Sequence, residues 1–286
     1  MIWVLAGGVL LLWYFIVRYY LKGTSSSYIL SNLCPSPDCV SCSGSLKSLY
    51  SSDVGPKLKK MYGKYDSLAV HKIEERLTFD MSAMTEKRRP TVCYLRDMCS
   101  DPWHNHKQKY LQDTLLDSYS AIKSEVANII SEQELWSVSD MQSGGSWQKL
   151  FLHNQGRKIE RNCKGMPRTT ALIEGLDTFM SGVIFGNAYI SILNEQSVIE
   201  PHCGPTNLRV RCHMGLQIPQ GDCSLTVNGK QEHWANQECI MFDDSFLHSS
   251  SNNTDSQRIV LIVDLWHPNL TIAEIKIFGE LFAVRH

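Results

Sequence analysis

Residues 188–266 read AYISILNEQSVIEPHCGPTNLRVRCHMGLQIPQGDCSLTVNGKQEHWANQECIMFDDSFLHSSSNNTDSQRIVLIVDLW. Short runs rich in β-branched and aromatic residues follow one another here, with no helical period between them. The runs are Ala188 to Leu193, Val198 to Pro201, Leu208 to Ile218, Cys223 to Val227, Gln231 to Trp234, Glu238 to Phe242 and Arg258 to Trp266. Gln220-Gly221 and Asn228-Gly229 supply turn chemistry between them. Closely spaced strands without crossover helices predict an antiparallel sandwich or barrel, and a jelly roll (double-stranded β-helix) is the expected form, giving a mainly β fold.

Helices flank this block. Leu111, Leu115, Tyr119, Ile122, Val126 and Ile129 or Ile130 form one apolar stripe, which predicts a core-facing helix. A second helix is expected from Pro56 to Leu77, carrying Leu58, Met61, Tyr62, Tyr65 and Leu68 at helical spacing, and it could pack on the domain or lie on a membrane surface. A last amphipathic helix, Ile272 to Phe282, is expected to cover a face or edge of the sheet. Gly23 to Ser52 is rich in Ser, Pro and Gly and reads as an exposed linker.

The first 17 residues, MIWVLAGGVLLLWYFIV, carry no charged side chain, and Arg18, Tyr19, Tyr20 and Lys22 close the run. A cleaved leader would want a basic start and a small-residue cleavage site, so a single transmembrane anchor is expected over 1–21. The organisation expected is that anchor, a Cys-containing linker and amphipathic helix over 22–85, and one domain over 86–286. Arg18 and Lys22 favour a cytoplasmic body, whereas the sequons at Asn252 and Asn269 would suit a lumenal one. Cys34, Cys39 and Cys42 form the one tight group among ten cysteines; a disulfide, a zinc site lacking its fourth ligand, and incidental linker cysteines all stay open. Formal net charge is −1 with no long basic run, which argues against a nucleic-acid partner.

Among ten histidines, two have a distinctive setting. His202 opens a turn-rich segment after one strand, and His248 closes FDDSFLH after another, so both could project from strand ends toward one metal. Arg258 heads the apolar strand RIVLIVDLW, where a buried guanidinium would suit a dicarboxylate. Arg209, Arg211 and His213 alternate onto one strand face, an arrangement that is costly to bury without an anion.

In order, HCGPTNLRVRCHMGL (202–216), FDDSFLH (242–248) and RIVLIVDLWHPNLT (258–271) resemble the signature of the aspartyl/asparaginyl β-hydroxylase family. The resemblance extends from about Pro90 to the C-terminus and includes the membrane-proximal cysteine segment. It implies an Fe(II)- and 2-oxoglutarate-dependent dioxygenase that hydroxylates Asp, Asn or another side chain of a protein substrate, with epidermal-growth-factor-like domains as the family's substrates. His202 and His248 would hold iron, and Gly204 would stand where most such oxygenases place an acidic ligand. Trp147, Ser191, Arg211, His213 and Arg258 would surround 2-oxoglutarate, and no role is implied for Asp243 or Asp244. The family's arrangement would also make the chain a type II membrane protein of the secretory pathway with a lumenal domain. One departure stands out, because Thr170 occupies the position of a family cysteine and would leave Cys163 without that disulfide partner. The competing expectation is a membrane-anchored jelly-roll binding protein that does not turn over.

Overall fold

The computed structural model describes residues 43–104, 109–139 and 142–285. The anchor expected over 1–21 and the Cys34, Cys39 and Cys42 group lie outside these residues. Among the described residues no helix is long and apolar enough to cross a membrane.

Eight strands form the roll: β7 (Ala188–Leu193), β8 (Ser197–His202), β9 (Arg209–Gln217), β10 (Cys223–Val227), β11 (Lys230–His233), β12 (Cys239–Phe242), β13 (His248–Asn252) and β14 (Arg258–Trp266). They pair in nested fashion, β10 with β11, β9 with β12, β8 with β13 and β7 with β14, all antiparallel. That nesting is a jelly roll. Its innermost hairpin closes through Asn228-Gly229, both at positive φ (52° and 78°), between the paired residues Val227 and Lys230. A two-residue loop with both φ positive matches the right-handed twist of the strands.

Further strands extend both sheets: β3 (Ser137–Ser139) and β5 (Trp147–Asn154), the latter paired with the short β6 (Arg157–Lys158), widen the β12-β9-β14-β7 sheet, and β4 (Gln142–Ser143) joins β8 in the other, while β1 (Leu77–Thr78) and β2 (Tyr94–Leu95) pair with each other. At the β12 edge, His104 donates its backbone N–H to Met241 O at 2.7 Å and Asp243 donates its own to Pro102 O at 2.9 Å. The edge is thereby covered by chain.

The larger sheet has two different faces, as period-2 alternation requires. Ile190 and Ile192 on β7, Val210, Cys212, Met214 and Leu216 on β9, and Ile259, Leu261, Val263 and Leu265 on β14 belong to one buried apolar cluster. Helices α3 (Lys109–Asp117) and α4 (Tyr119–Ile129) complete that cluster with Leu111, Leu115, Ile122, Val126 and Ile129. The residues between these positions face the inside of the roll, among them Ser191, Arg209, Arg211, His213, Arg258 and Asp264.

Three expectations need correction. The stripe over 111–129 is carried by two helices that break at Ser118, not by one. In the N-terminal part, α1 runs Gly44–Met61 and α2 Ser67–Arg76. The helix therefore begins within the stretch read as an exposed linker, because Tyr50, Val54, Leu58 and Met61 recur on one face and are buried. These helices pack in one apolar cluster with α7 (Ile272–Leu281), while Leu68, expected on the stripe, is exposed. The last correction is β13, a strand that the polar sequence HSSSN does not predict.

Two further helices, α5 (Glu160–Gly165) and α6 (Pro167–Glu174), pack behind α4. Glu125 of α4 is buried, and its carboxylate accepts the backbone N–H groups of Arg168 and Thr169 (2.8 and 2.9 Å) and the Thr169 hydroxyl (2.6 Å). It satisfies donors at the N-terminus of α6 that have no intrahelical partner. Glu125→Ala is expected to lower unfolding free energy by about 1–2 kcal/mol, as loss of a capping carboxylate does, and Glu125→Gln by less; urea denaturation followed by circular dichroism checks both.

Candidate functional site

The two histidines singled out by their setting meet across neighbouring strands. His202 ends β8, His248 opens β13, the two are register partners, and their ring centroids are 4.2 Å apart. Each donates Nδ1–H to a main-chain carbonyl two residues before it, His202 to Glu200 O at 2.7 Å and His248 to Phe246 O at 2.9 Å. A carbonyl can only accept, so Nδ1 carries the proton and the Nε2 lone pair is left available in the neutral ring. Burial pushes the His202 pKa down to about 4 and that of His248 to about 3, the latter also lowered by the charge of His202. Both rings are therefore neutral near neutral pH. Two desolvated, oriented imidazoles with free lone pairs fit a first-row transition-metal ion.

No third ligand joins them: among the described residues no group of three or more His, Cys, Asp or Glu is placed to hold a metal. The backbone explains this at Gly204, where a Cβ would lie 2.3–2.6 Å from the Asp244 carboxyl group. That carboxylate cannot readily yield, because Arg209 Nε donates to it at 3.0 Å and Arg211 Nη1 lies 3.4 Å away. Burial would raise the Asp244 pKa, but the two guanidiniums overcome it and hold the carboxyl well below the usual range. Asp264 completes the quartet, accepting from Arg209 Nη1 at 2.9 Å and from Arg211 Nε and Nη2 at 2.8 and 3.0 Å. Asp243 is engaged elsewhere, bound by Arg88 Nη2 at 2.7 Å and by the Ser245 backbone N–H at 2.8 Å. The Asp243-Asp244 pair thus spends both carboxylates on arginines.

Arg258 is different. It is 1% exposed, and no carboxylate pairs with it among the described residues. Its Nη2 donates to Ser191 Oγ at 3.2 Å, its Nε has no partner, and burial pushes its pKa down to about 10, which still leaves it charged at neutral pH. Ser191 Oγ also accepts Trp147 Nε1–H at 2.9 Å, so its own hydrogen remains to be donated. His213 has an unpartnered Nε2, while its Nδ1 accepts Trp234 Nε1–H at 3.3 Å. A buried, unneutralised guanidinium with donors left over beside it is a cradle for an anion, since an unpaired buried charge costs several kcal/mol.

Six of the expected residues fall into one continuous run of contacts. Trp147 leads through Ser191 to Arg258, Arg258 lies 4.8 Å over the Trp234 ring, and Trp234 reaches His213. From His213 the run passes to Phe242 (5.1 Å between centroids), to His248 (5.4 Å) and to His202. Arg211 stands beside the run with one edge of its guanidinium held by Asp264. The anion that its strand face demanded is in part the protein's own. Trp234, Phe242 and Asp264 were not singled out in the sequence; Asp264 alone left a signal, as a lone charge in an apolar strand with the parity of Arg258. Cys163 is buried without a disulfide partner, its thiol facing Leu152 O at 3.3 Å and pushed up in pKa by burial.

The fold and site define a jelly-roll protein with a histidine pair and a buried, unpaired arginine inside one roll. The family description "Aspartyl/Asparaginyl beta-hydroxylase" matches residues 117–268, and the chain belongs to that family. Aspartate beta-hydroxylase domain-containing protein 2 of Xenopus tropicalis is 40% identical over 207 residues, covering 68% of this chain and 55% of that protein. Its human counterpart is 34% identical over 276 residues, covering 92% and 73%. A solved Pseudomonas putida prolyl-4-hydroxylase aligns over 56% of this chain and all of its own, at 10% identity and a TM-score of 0.35, too slight to add to the strand pairing itself.

Gly204→Asp is expected to bind Fe(II) no more tightly than the wild type and to melt several degrees lower, because the new carboxylate meets Asp244 and not the open side of the histidine pair. Calorimetric metal titration and a thermal melt check both halves.

Proposed function

We propose that the chain is an Fe(II)- and 2-oxoglutarate-dependent dioxygenase that hydroxylates an Asp, Asn or other side chain of a protein substrate. The observation that carries this is the coexistence, inside one roll, of a neutral histidine pair with Nδ1 pinned and an Arg258 that no carboxylate pairs with among the described residues. A binding module has no physical need for both. Family membership supports the reaction class.

His202 and His248 would hold the iron through Nε2. Arg258 would take the distal carboxylate of 2-oxoglutarate, with Ser191 and His213 donating hydrogen bonds beside it. Iron with 2-oxoglutarate and dioxygen supplies oxidative decarboxylation to succinate and carbon dioxide, with one oxygen atom going to a substrate C–H bond. The protein's share is to orient and to keep water away. Trp147 walls the Ser191 side, Trp234 and Phe242 wall the Arg258 and His213 side, and Tyr189 and Phe151 pack ring to ring at 5.0 Å on the same inner surface.

The chain supplied with Fe(II), 2-oxoglutarate and dioxygen is expected to release succinate, alone or with an epidermal-growth-factor-like domain as substrate. His202→Ala and His248→Ala should abolish release. Arg258→Ala should raise the KM for 2-oxoglutarate by roughly 30-fold or more, the cost of losing a buried charge partner. A wild-type chain that binds both and releases no succinate under either condition contradicts the oxygenase reading.

The location proposed is a single-pass type II membrane protein of the secretory pathway, anchored by residues 1–21, with a lumenal domain. Of the two sequons, Asn252 is fully buried and donates its amide to Leu193, Asn194 and Ser256 carbonyls at 2.8–3.0 Å, whereas Asn269 is exposed. In microsomes the C-terminal domain is expected to resist added protease, with Asn269 and not Asn252 carrying any N-glycan. Digestion in intact microsomes contradicts a lumenal domain.

A further inference from the structure

The residue that links the two halves of the site is one that neither the sequence motifs nor the expected cofactor set contains. Trp234 follows β11, is 4% exposed, and meets two site residues with two different parts of its indole. Its edge meets His213: Nε1 is 3.3 Å from Nδ1, and the two rings are inclined by only 13° with centroids 6.0 Å apart. Rings that nearly share an orientation, with an N–H to nitrogen contact between them, place the donor close to the imidazole plane, where the Nδ1 lone pair lies. Its face lies under Arg258, whose guanidinium carbon is 4.8 Å from the ring centroid.

We infer that Trp234 is a positioning residue for the anion subsite, fixing the tautomer of His213 by its edge and the guanidinium of Arg258 by its face. The reasoning is one of donors and acceptors. Indole N–H can only donate, so Nδ1 must accept and the neutral imidazole must carry its proton on Nε2. That Nε2 is buried and without a partner among the described residues, and so is Nε of Arg258. In this tautomer His213 offers a carboxylate a donor; in the other it would offer a lone pair and repel it. Arg258, in turn, has no carboxylate among the described residues to hold its plane, and the ring face supplies the attraction that a desolvated cation draws from a tryptophan quadrupole. Trp234 thereby presents two donors to one anion without touching it. This rests on the proposed 2-oxoglutarate reading for the identity of the anion, while the tautomer itself can be read without any ligand.

The test has two arms on the full-length chain labelled with [15N]histidine. First, ring 15N shifts of His213 are expected to report protonated Nε2 and unprotonated Nδ1 in the wild type, and a mixture of tautomers in Trp234→Phe. A wild-type His213 protonated on Nδ1 overturns the inference. Second, 2-oxoglutarate is titrated anaerobically into the Fe(II)-loaded chain. Trp234→Phe, which keeps the ring face, is expected to weaken 2-oxoglutarate by roughly tenfold, the worth of a correctly placed donor to a charged group, and Trp234→Leu by more. Fe(II) affinity measured without 2-oxoglutarate should stay unchanged in both. In a His213→Phe background the Trp234→Phe effect should disappear, since there is no tautomer left to set. An equal loss in both backgrounds, or a parallel loss of Fe(II) affinity, would reveal a merely structural tryptophan and overturn the inference. Failure of the wild type to bind 2-oxoglutarate, with the expected 15N pattern intact, would remove the proposed function and leave the tautomer assignment standing.

Discussion

The ion quartet of Arg209, Arg211, Asp244 and Asp264 is the interaction on which the rest of the interior depends. It joins β9 to β14 and to the turn between β12 and β13, and all four side chains are largely out of water. Removing one member of such a set would strand a buried charge at a cost of about 3–5 kcal/mol. Its geometry reaches both histidines: Asp244 lies four residues before His248, and its carboxylate fills the space beside Gly204, two residues after His202. The Gly204 backbone N–H also donates to Asp244 O at 2.6 Å, tying the His202 turn to the His248 turn. The same carboxylate that anchors the histidine-bearing turns thus occupies the room an acidic third ligand would need.

Against that neutralised set, Arg258 stands out by contrast. Among the described residues the largely buried Arg88, Arg209 and Arg211 are matched by carboxylates, and Arg258 is not. The protein's own acids tie its strands together around Arg209 and Arg211 and leave Arg258 without a carboxylate among the described residues. The difference follows from register. Asp264 and Arg258 share an inward parity on β14 but lie six residues apart, roughly 20 Å along an extended strand, so the quartet cannot reach the cation at the other end.

Much of this was legible in the sequence. The strand set and the β10–β11 hairpin follow from alternation and from Asn228-Gly229, and the jelly roll follows from strands packed without crossover helices. β13 escaped because HSSSN carries no apolar alternation; it is placed by pairing with β8 and β10, which are distant in the chain. The start of α1 was hidden by a serine-rich composition, although Tyr50, Val54, Leu58 and Met61 hold a helical spacing through Pro56. Trp234 had no local signature, since its role comes from meeting His213 and Arg258 from another sheet. The costly cationic face of β9 was readable, but of the partners that satisfy it, 33 to 55 residues further on, only Asp264 left a local signal.

The most direct measurement of the central claim, that the histidine pair and Arg258 build one cofactor pocket, is an anaerobic titration of the full-length chain with Fe(II) and 2-oxoglutarate followed in the visible. The account predicts a charge-transfer band that needs both additions and is lost in His248→Ala and in Arg258→Ala. A folded wild-type chain that gives no band, or a band indifferent to Arg258, would contradict it.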